Sequence, residues 1–568
     1  MNRRDFMKSA GIVGILPVAP SLARTTQALG QTRPADAYLE GLAHPPVWGR
    51  KGVVSSQDLQ ASMAGVHMLM NGGNAIDAIV ATAAALNVCE PNGSGMGAFG
   101  GFMMIYSARE KKVVALDMMG KSARAASFKN MSESDFDEGY KAPLVPAGIG
   151  GWAEALKRYG TMSLGDVFEP AIELAEEGFV VTKRDAASFA GAAAKLQKFP
   201  TTAAIFMEGG RTPVEGQLLK QKQLAASFRK IARDGAETFY QGELADKIVR
   251  FLQQNGGLLT KEDFANWRPR WREPIHIDFH GHTLYSMPPG SSSFATFQVL
   301  NIMENLAPNE VDYYSAEFAH QWIEAWKLAF IDDDRYNTGR DVDIPVARFL
   351  SKDYAREQRS RIAPTRAAER DLPALGAVGT TSLAAADAAG NVVAFTQSLV
   401  RAYGSGVAAA DTGILLNNGH RFGFILDENH VNRLTPGTHA KGVMTPTIIM
   451  RDGQAIGGVG SAGGYTIPQT VGLTIAQMLM YGTDVQEAIA APRIVLNREA
   501  GPVPVGPDVD VYADPGYPEQ VLDKLQAFGH NLTAPRSTGT VSGVYRDPST
   551  GLLAGGTDPR REGQAIAW

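Results

Sequence analysis

Gly379-Thr380-Thr381-Ser382-Leu383-Ala384-Ala385-Ala386-Asp387-Ala388-Ala389-Gly390-Asn391-Val392-Val393-Ala394-Phe395-Thr396 reads as two short apolar strands joined at a glycine turn, a β-hairpin deep inside a 568-residue chain. Its first strand opens on a threonine. A threonine hydroxyl is a poor nucleophile until an adjacent base takes its proton, and a free N-terminal amine is one such base. An internal threonine gains that amine only if the bond before it is cut. Cleavage of Gly379–Thr380 would leave a downstream chain that begins at its own nucleophile. A Gly-Thr-Thr tripeptide is more often an ordinary turn, so the weight rests on the sequence around it.

Outward from the hairpin the pattern is helical, then mixed. Gly52 to Ser56 reads as a strand. Gln60 to Asn71 reads as a helix closed by Gly72-Gly73, which supply a left-handed C-terminal cap. Asn74 caps the next helix, Ala75 to about Asn87, with Asp77 in the first turn. That helix is apolar on all sides and is expected to be buried. Gly93 to Gly101 leads into a buried strand, Phe102 to Tyr106. From Gly151 to about Leu350 the period is mostly helical. Trp322, Ala325, Trp326 and Ala329 share one helix face, and Asp332-Asp333-Asp334-Arg335 reads as its solvated end. His320 and Glu324, one turn apart, read as a satisfied surface pair. Arg359 to Val378 is loose and polar, the composition of a flexible loop. Asp452-Gly453 signals a hairpin between Ile448-Ile449-Met450 and Ala455-Ile456, and Ile467 to Tyr481 is a long amphipathic helix. Strands grouped with helices around them predict a layered α+β fold. There is no internal repeat.

Composition narrows the class. Hydrophobic residues make up 44% and charged residues 20%, as in ordinary globular chains, and the net charge is −5. Neither a basic stripe nor zinc spacing is present, so nucleic acid is not an expected partner. The single cysteine, Cys89, excludes an intrachain disulfide and a Cys-based metal site; it reads as a buried small hydrophobe. No metal or cofactor is expected. Arg3-Arg4-Asp5-Phe6-Met7-Lys8, the short apolar run Ala10 to Ala19 and Ser21-Leu22-Ala23 match a twin-arginine export signal with its cleavage site. The apolar run is too short to span a bilayer. These features predict a leader over residues 1–33 and a periplasmic, bacterial protein without a membrane span.

Two rival motifs lie together. Gly458-Val459-Gly460-Ser461-Ala462-Gly463 fits a dinucleotide fingerprint between a strand and a helix, with Asp484 about 20 residues on. The following strand is weak, which argues against it. Val459 to Gly463 also approaches a serine nucleophile elbow but lacks its first glycine.

A series of blocks decides among these readings. They are Gly72-Gly73-Asn74-Ala75-Ile76-Asp77-Ala78, Val145-Pro146-Ala147-Gly148, Pro170-Ala171-Ile172-Glu173-Leu174-Ala175, Leu259-Thr260-Lys261-Glu262-Asp263-Phe264, Tyr285-Ser286-Met287-Pro288-Pro289, Glu324-Ala325-Trp326-Lys327-Leu328-Ala329, Gly413-Ile414-Leu415-Leu416-Asn417-Asn418, Met444-Thr445-Pro446-Thr447 and Gly463-Gly464. In this order, from about Gly52 to the C-terminus, the chain resembles the γ-glutamyltransferase family of N-terminal nucleophile hydrolases. The resemblance implies a four-layer αββα sandwich. It implies cleavage between Gly379 and Thr380 into a large subunit, 34–379, and a small catalytic subunit, 380–568. It makes Thr380 the nucleophile, Gly463 and Gly464 the oxyanion hole, and Ser398 the counterpart of a threonine that hydrogen-bonds the nucleophile. The implied partner is a small amide or peptide substrate.

The same resemblance exposes departures. Aligned on Ala115-Leu116-Asp117, the family's carboxylate-binding arginine falls on Met119. Aligned on Leu416-Asn417-Asn418, its amine-binding pair falls on Gly419 and Phe422. Its Ser-Ser becomes Gly442-Val443, and an asparagine near the nucleophile becomes Val400. A buried charge needs a partner, and Met119 and Phe422 offer none. The expectation is an amidase-like or acylase-like member acting on a non-glutamyl or atypical acyl group. Arg401, Tyr403, Asn418, His420, Arg421 and Tyr465 are candidates for a replacement pocket. A glutathione hydrolase or transferase and a binding protein on the same fold remain as alternatives.

Overall fold

The computed structural model describes residues 44–370, 379–497, 510–533 and 538–568. The twin-arginine leader and the last residues before Gly379 lie outside them, Pro373 and Gly376 included.

Fourteen strands build two seven-stranded sheets. In chain order they are β1 (Val47–Gly49), β2 (Gly52–Ser56), β3 (Gly100–Ser107), β4 (Lys112–Asp117), β5 (Arg270–Arg272), β6 (Ile275–Phe279), β7 (His282–Ser286), β8 (Gly379–Asp387), β9 (Val392–Val400), β10 (Thr447–Arg451), β11 (Gln454–Ala462), β12 (Thr540–Arg546), β13 (Leu553–Thr557) and β14 (Ala565–Ala567). One sheet runs β1-β13-β12-β11-β10-β7-β6 and the other β14-β2-β8-β9-β3-β4-β5. The sheets meet face to face through β8 and β9 on one side and β11 and β12 on the other. Small residues make this approach possible. A Cβ on Gly460 would lie 2.6 Å from Ser382 Oγ, and Ser542 Oγ donates to Ser382 O at 3.0 Å across the interface. Helices α1 (Leu59–Met70) and α2 (Ala75–Cys89) cover the β8 sheet. Helices α3 (Ser293–Met303) and α5 (Thr466–Met480) cover the β11 sheet, and α4 (Ala316–Tyr336) packs on α3. This is the αββα sandwich.

Local chemistry explains the central elements. Asn74 and Asp77 form a reciprocal capping box at the start of α2, and every residue of α2 is buried. The Asp77 carboxylate also accepts from the Thr161 and Met162 backbones, so it ties the cap to the next segment. Gly72, at φ +90°, makes the reversal between α1 and α2. The Asp452-Gly453 turn joins β10 to β11. Strand β11 is antiparallel to both of its neighbours, β10 and β12. That arrangement rules out the parallel βαβ unit a dinucleotide site needs.

Two expectations at α4 are corrected. His320 and Glu324 are both fully buried, not a surface pair. His320 Nδ1 lies 2.8 Å from His530 Nε2 and its Nε2 2.7 Å from Ala363 O, while Glu324 pairs with Lys327 at 2.7 Å. The Asp332–Arg335 run is not wholly solvated either: Asp333 is buried, and burial pushes its carboxyl up to about 6 against the pull of Lys441. A four-residue run on a helix turns through all faces, so one member had to point inward. The described part of the stretch after Arg359 follows directly on the helix Lys352–Ser360, and in it Ala368 N donates to the buried Glu324.

Candidate functional site

The site forms where β8 begins. Strand β8 pairs with β9 so that Thr380 faces Ser398, but Gly379 faces Val400, leaving Leu399 as an extra residue. This β-bulge bends the strand end and re-aims its side chains. Val400 sits at φ +83°, a left-handed conformation that costs a β-branched residue on the order of 1–3 kcal/mol. Gly379 has no room for a side chain, because Asn92 O and Ala402 N would lie 2.9 and 3.0 Å from its Cβ.

Three hydroxyl-centred contacts follow from the bulge. Ser398 Oγ donates to Gly379 O at 2.6 Å, lies 3.0 Å from Thr380 Oγ1 and accepts from Val400 N at 2.8 Å. A serine hydroxyl has one proton. With that proton on Gly379 O, the Thr380 hydroxyl is the donor to Ser398. The Ser398 oxygen therefore touches both the threonine hydroxyl and the carbonyl of the preceding peptide bond. Thr380 is 1% exposed.

Around Thr380 and Ser398 runs a narrow apolar pocket lined by Phe99, Val400, Phe422, Val443, Met444 and Ile467. Ile467 belongs to the first turn of α5, directly after Gly463-Gly464. Those glycines adopt φ +134° and +67°, and a Cβ on Gly463 would strike Thr466 Oγ1 at 2.5 Å. The turn thus requires glycine and sets two consecutive backbone amides, free of Cβ, just before the helix whose first turn carries Ile467. The Phe422 ring packs, tilted, against those of Phe99 at 6.4 Å and Tyr465 at 5.3 Å.

The other sequence candidates divide. Met119 is buried next to the pocket wall: its Cε lies 3.4 Å from where a Gly442 Cβ would stand, and its carbonyl accepts from Trp267 Nε1. Arg401 and Arg421 both reach Asp137, at 3.5 and 3.1 Å, and Arg421 also binds Glu133 at 3.0 Å. Asn418 joins the Arg401 backbone to Asp137 O. Tyr403 is buried among Phe189 and Phe206 with its hydroxyl near Ser188. None of these five lines the pocket, and neither does His420. Phe99 and Ile467 are not among the site candidates read from the sequence. Phe99 and Ile467 are ordinary core residues by type, and only their neighbours in space give them a role.

His420 yields a stability prediction. It is buried, stacks on Phe136 at 5.5 Å, and its Nδ1 is 3.0 Å from Ala142 O. Burial pushes its pKa from 6.5 down to about 4, against the pull of the Ala142 and Lys141 carbonyls. Between those values the unfolded chain takes up a proton that the folded site refuses. Its contribution is therefore full above pH 6.5 and is lost as pH falls toward 4, about 3 kcal/mol in all. His420→Asn should lower stability at pH 8 yet flatten the acid-side loss by about one proton. Urea midpoints measured from pH 8 to pH 4 check this, and an unchanged slope rejects it.

The gamma-glutamyltranspeptidase family model matches residues 61–568. The chain belongs to that family. It is 36% identical over 529 residues to the glutathione hydrolase-like YwrD proenzyme of Bacillus subtilis (strain 168), covering 92% of this chain and 99% of that one. It is 33% identical over 543 residues to the acylase ACY 1 proenzyme of Pseudomonas sp. (strain V22), covering 92% and 94%. Among solved structures, the cephalosporin acylase from Bacillus halodurans superposes with a TM-score of 0.85 at 33% identity, over 93% of this chain and 97% of that one. Family relatives thus carry both glutathione hydrolase and acylase names, and the chain is an enzyme of this hydrolase and acyltransferase group. Among the described residues no helix is long and apolar enough to cross a membrane, and no cluster of His, Cys, Asp and Glu is suited to a metal ion.

Proposed function

We propose that this family member is a self-processing threonine-nucleophile amide hydrolase and acyltransferase, exported through its twin-arginine leader to the periplasm, whose acyl donor is not glutamyl. The observation that carries the reading is the Ser398 hydroxyl, held between Thr380 Oγ1 and Gly379 O. In the precursor, Thr380 Oγ attacks the Gly379 carbonyl carbon while Ser398 donates to its oxygen. The Thr380 nitrogen leaves as an amine carrying the hydroxyl proton, and an ester remains. Water hydrolyses the ester to a Gly379 carboxylate and the Thr380 hydroxyl, so that Thr380 carries both its hydroxyl and a free amine. The chain is then a large subunit, 34–379, and a small one, 380–568. The names of the Bacillus subtilis and Pseudomonas relatives, both proenzymes, support this route.

In turnover the Thr380 amine, with an ordinary pKa of roughly 7.7–8.0, takes the hydroxyl proton. Thr380 Oγ attacks the donor amide, the Gly463-Gly464 amides stabilise the oxyanion, and the leaving amine departs protonated. Water or an acceptor amine then resolves the acyl-enzyme. The test is direct. Purified active protein should yield a fragment whose N-terminal sequence begins at Thr380, and a slow amide substrate should leave its acyl mass on that residue. A fragment that starts elsewhere, or activity from an intact chain, rejects the reading.

Ser398 gives a graded prediction. Ser398→Ala removes one hydrogen bond to the nucleophile, worth roughly 0.5–1.5 kcal/mol net, and about 2- to 13-fold in turnover if the loss falls wholly in the transition state. Processing should slow as well, since Gly379 O loses its donor. Turnover unchanged beside unchanged stability would remove Ser398 from the site.

A further inference from the structure

Beneath the strand that starts at Gly379 the fold buries an ion pair. Successive side chains of a strand face opposite ways, so Thr381 turns from the Thr380 pocket toward α2, which packs on β8. Glu90 caps the end of α2 and is 7% exposed. Arg561 donates to Glu90 Oε1 and, at 2.6 Å, to Gln57 Oε1. Glu90 Oε2 is buried and finds no hydrogen-bond partner among the described residues, and the same holds for Thr381 Oγ1. Burial pushes the Glu90 carboxyl above its ordinary range; Arg561, the adjacent Thr381 hydroxyl and Arg184 pull it back, and Asp58 opposes them.

Stability alone argues against a carboxylate here. It is buried, and the C-terminal end of a helix repels negative charge. Its surroundings point to the cleavage site instead. Glu90 opens the loop that braces the start of β8. In that loop Gly93 O accepts from the bulge residue, Leu399 N, at 2.9 Å, and Asn92 O would lie 2.9 Å from a Cβ on Gly379. Thr380 N is one peptide unit from Thr381, so covalent geometry keeps it within about 7 Å of the Thr381 hydroxyl. The described residues lining the Thr380 pocket carry no charge. Charged groups on its other sides are engaged elsewhere: Lys441 reaches Tyr465 Oη at 3.4 Å, with Asp333 and Asp334 beyond, and Arg401 and Arg421 hold Asp137. We infer that the Glu90–Arg561 pair, acting through Thr381, positions the Thr380 amine and sets the charge that it meets once the Gly379 bond is cut. A nearby carboxylate favours an ammonium. Glu90 therefore governs the pH at which the amine becomes free to serve as base, and Arg561 offsets it.

The inference rests on the Thr380 amine as the base, and the experiment separates the two. Processed enzyme is treated with p-nitrophenyl acetate between about pH 5 and pH 9, and the acetyl group is located by peptide mass. The rate at Thr380 should rise with pH along a single step, the titration of the amine. Glu90→Gln removes the negative charge and leaves Arg561, so the step should move down by about half a pH unit or more. Arg561→Met leaves the carboxylate unopposed, so the step should move up by a similar amount. Glu90→Asp keeps the charge and should return the step toward the wild type. Melting temperatures report that each variant folds, and if Glu90→Gln does not, Arg561→Met carries the test. A bracing role alone would slow both variants without shifting the step. Acetylation at Thr380 with the step unmoved, or moved the same way in both variants, overturns the inference. Acetyl mass on another residue rejects the Thr380 reading, and this inference with it.

Discussion

Thr380→Ala is expected to give one uncleaved chain with no measurable amidase activity. The variant loses the attacking oxygen of both reactions, so the Gly379–Thr380 bond stays intact and no acyl-enzyme can form. Losing a covalent nucleophile costs at least about 10⁴-fold in kcat/KM. Structural damage does not explain such a loss, because the side chain removed is small and its one described side-chain partner is Ser398. Thr380→Ser separates hydroxyl chemistry from packing, since it keeps the oxygen and deletes only a methyl. It should process and turn over, more slowly. Gel mobility, intact mass and single-turnover kinetics on the three proteins check this. A Thr380→Ala protein that is cleaved, or that retains amidase activity, overturns the assignment.

Glutathione is expected to be a poor donor. The pocket beside Thr380 is walled by Phe99, Phe422, Val443, Met444 and Ile467, with Met119 behind it. A γ-glutamyl group brings an α-carboxylate and an α-amine close to the reacting carbonyl chain, and these side chains leave the amine unpaired. A charged group desolvated without a partner costs several kcal/mol. So kcat/KM for glutathione should fall at least about 100-fold below that of the best simple acyl amide. Met119→Arg alone should not rescue it, because Gly419 and Phe422 still offer the amine nothing. If glutathione is instead the best donor, the apolar pocket is not the donor site. Arg401 or Arg421 would then have to leave Asp137 to hold the carboxylate.

Much of the scaffold is legible in the chain because its signals are local. The Asn74 and Asp77 box and the all-apolar run after it specify a buried helix, and Asp452-Gly453 specifies a hairpin, each within a few residues. The order of family blocks carried the αββα architecture. The failures are equally specific. Asp333, His320 and Glu324 are polar residues on a helix, and sequence alone assigns polar helix residues to water. Here α4 is covered on the side a chain reading leaves open, by residues 363–370 and by His530, far along the chain. Arg401, Tyr403, Asn418, His420 and Arg421 follow Thr380 closely in sequence, yet the loop after β9 carries them away from the pocket into ion pairs and core contacts.

The sequence by itself determined the family, the strand that carries Thr380 at its start, the glycine turn before α5 and the small or apolar residues at Met119, Gly419 and Phe422. Only the tertiary structure decided the rest. It set Leu399 as the bulge residue that brings Ser398 onto Gly379 O. It brought Phe99 and Ile467 to the pocket wall, and among the described residues it buried Lys441 with no carboxylate within 4.0 Å. The division has a physical cause. Propensity, capping and turn chemistry act over a few neighbouring residues, whereas a register shift of one residue, or the pairing of a buried charge, depends on groups tens to hundreds of positions apart.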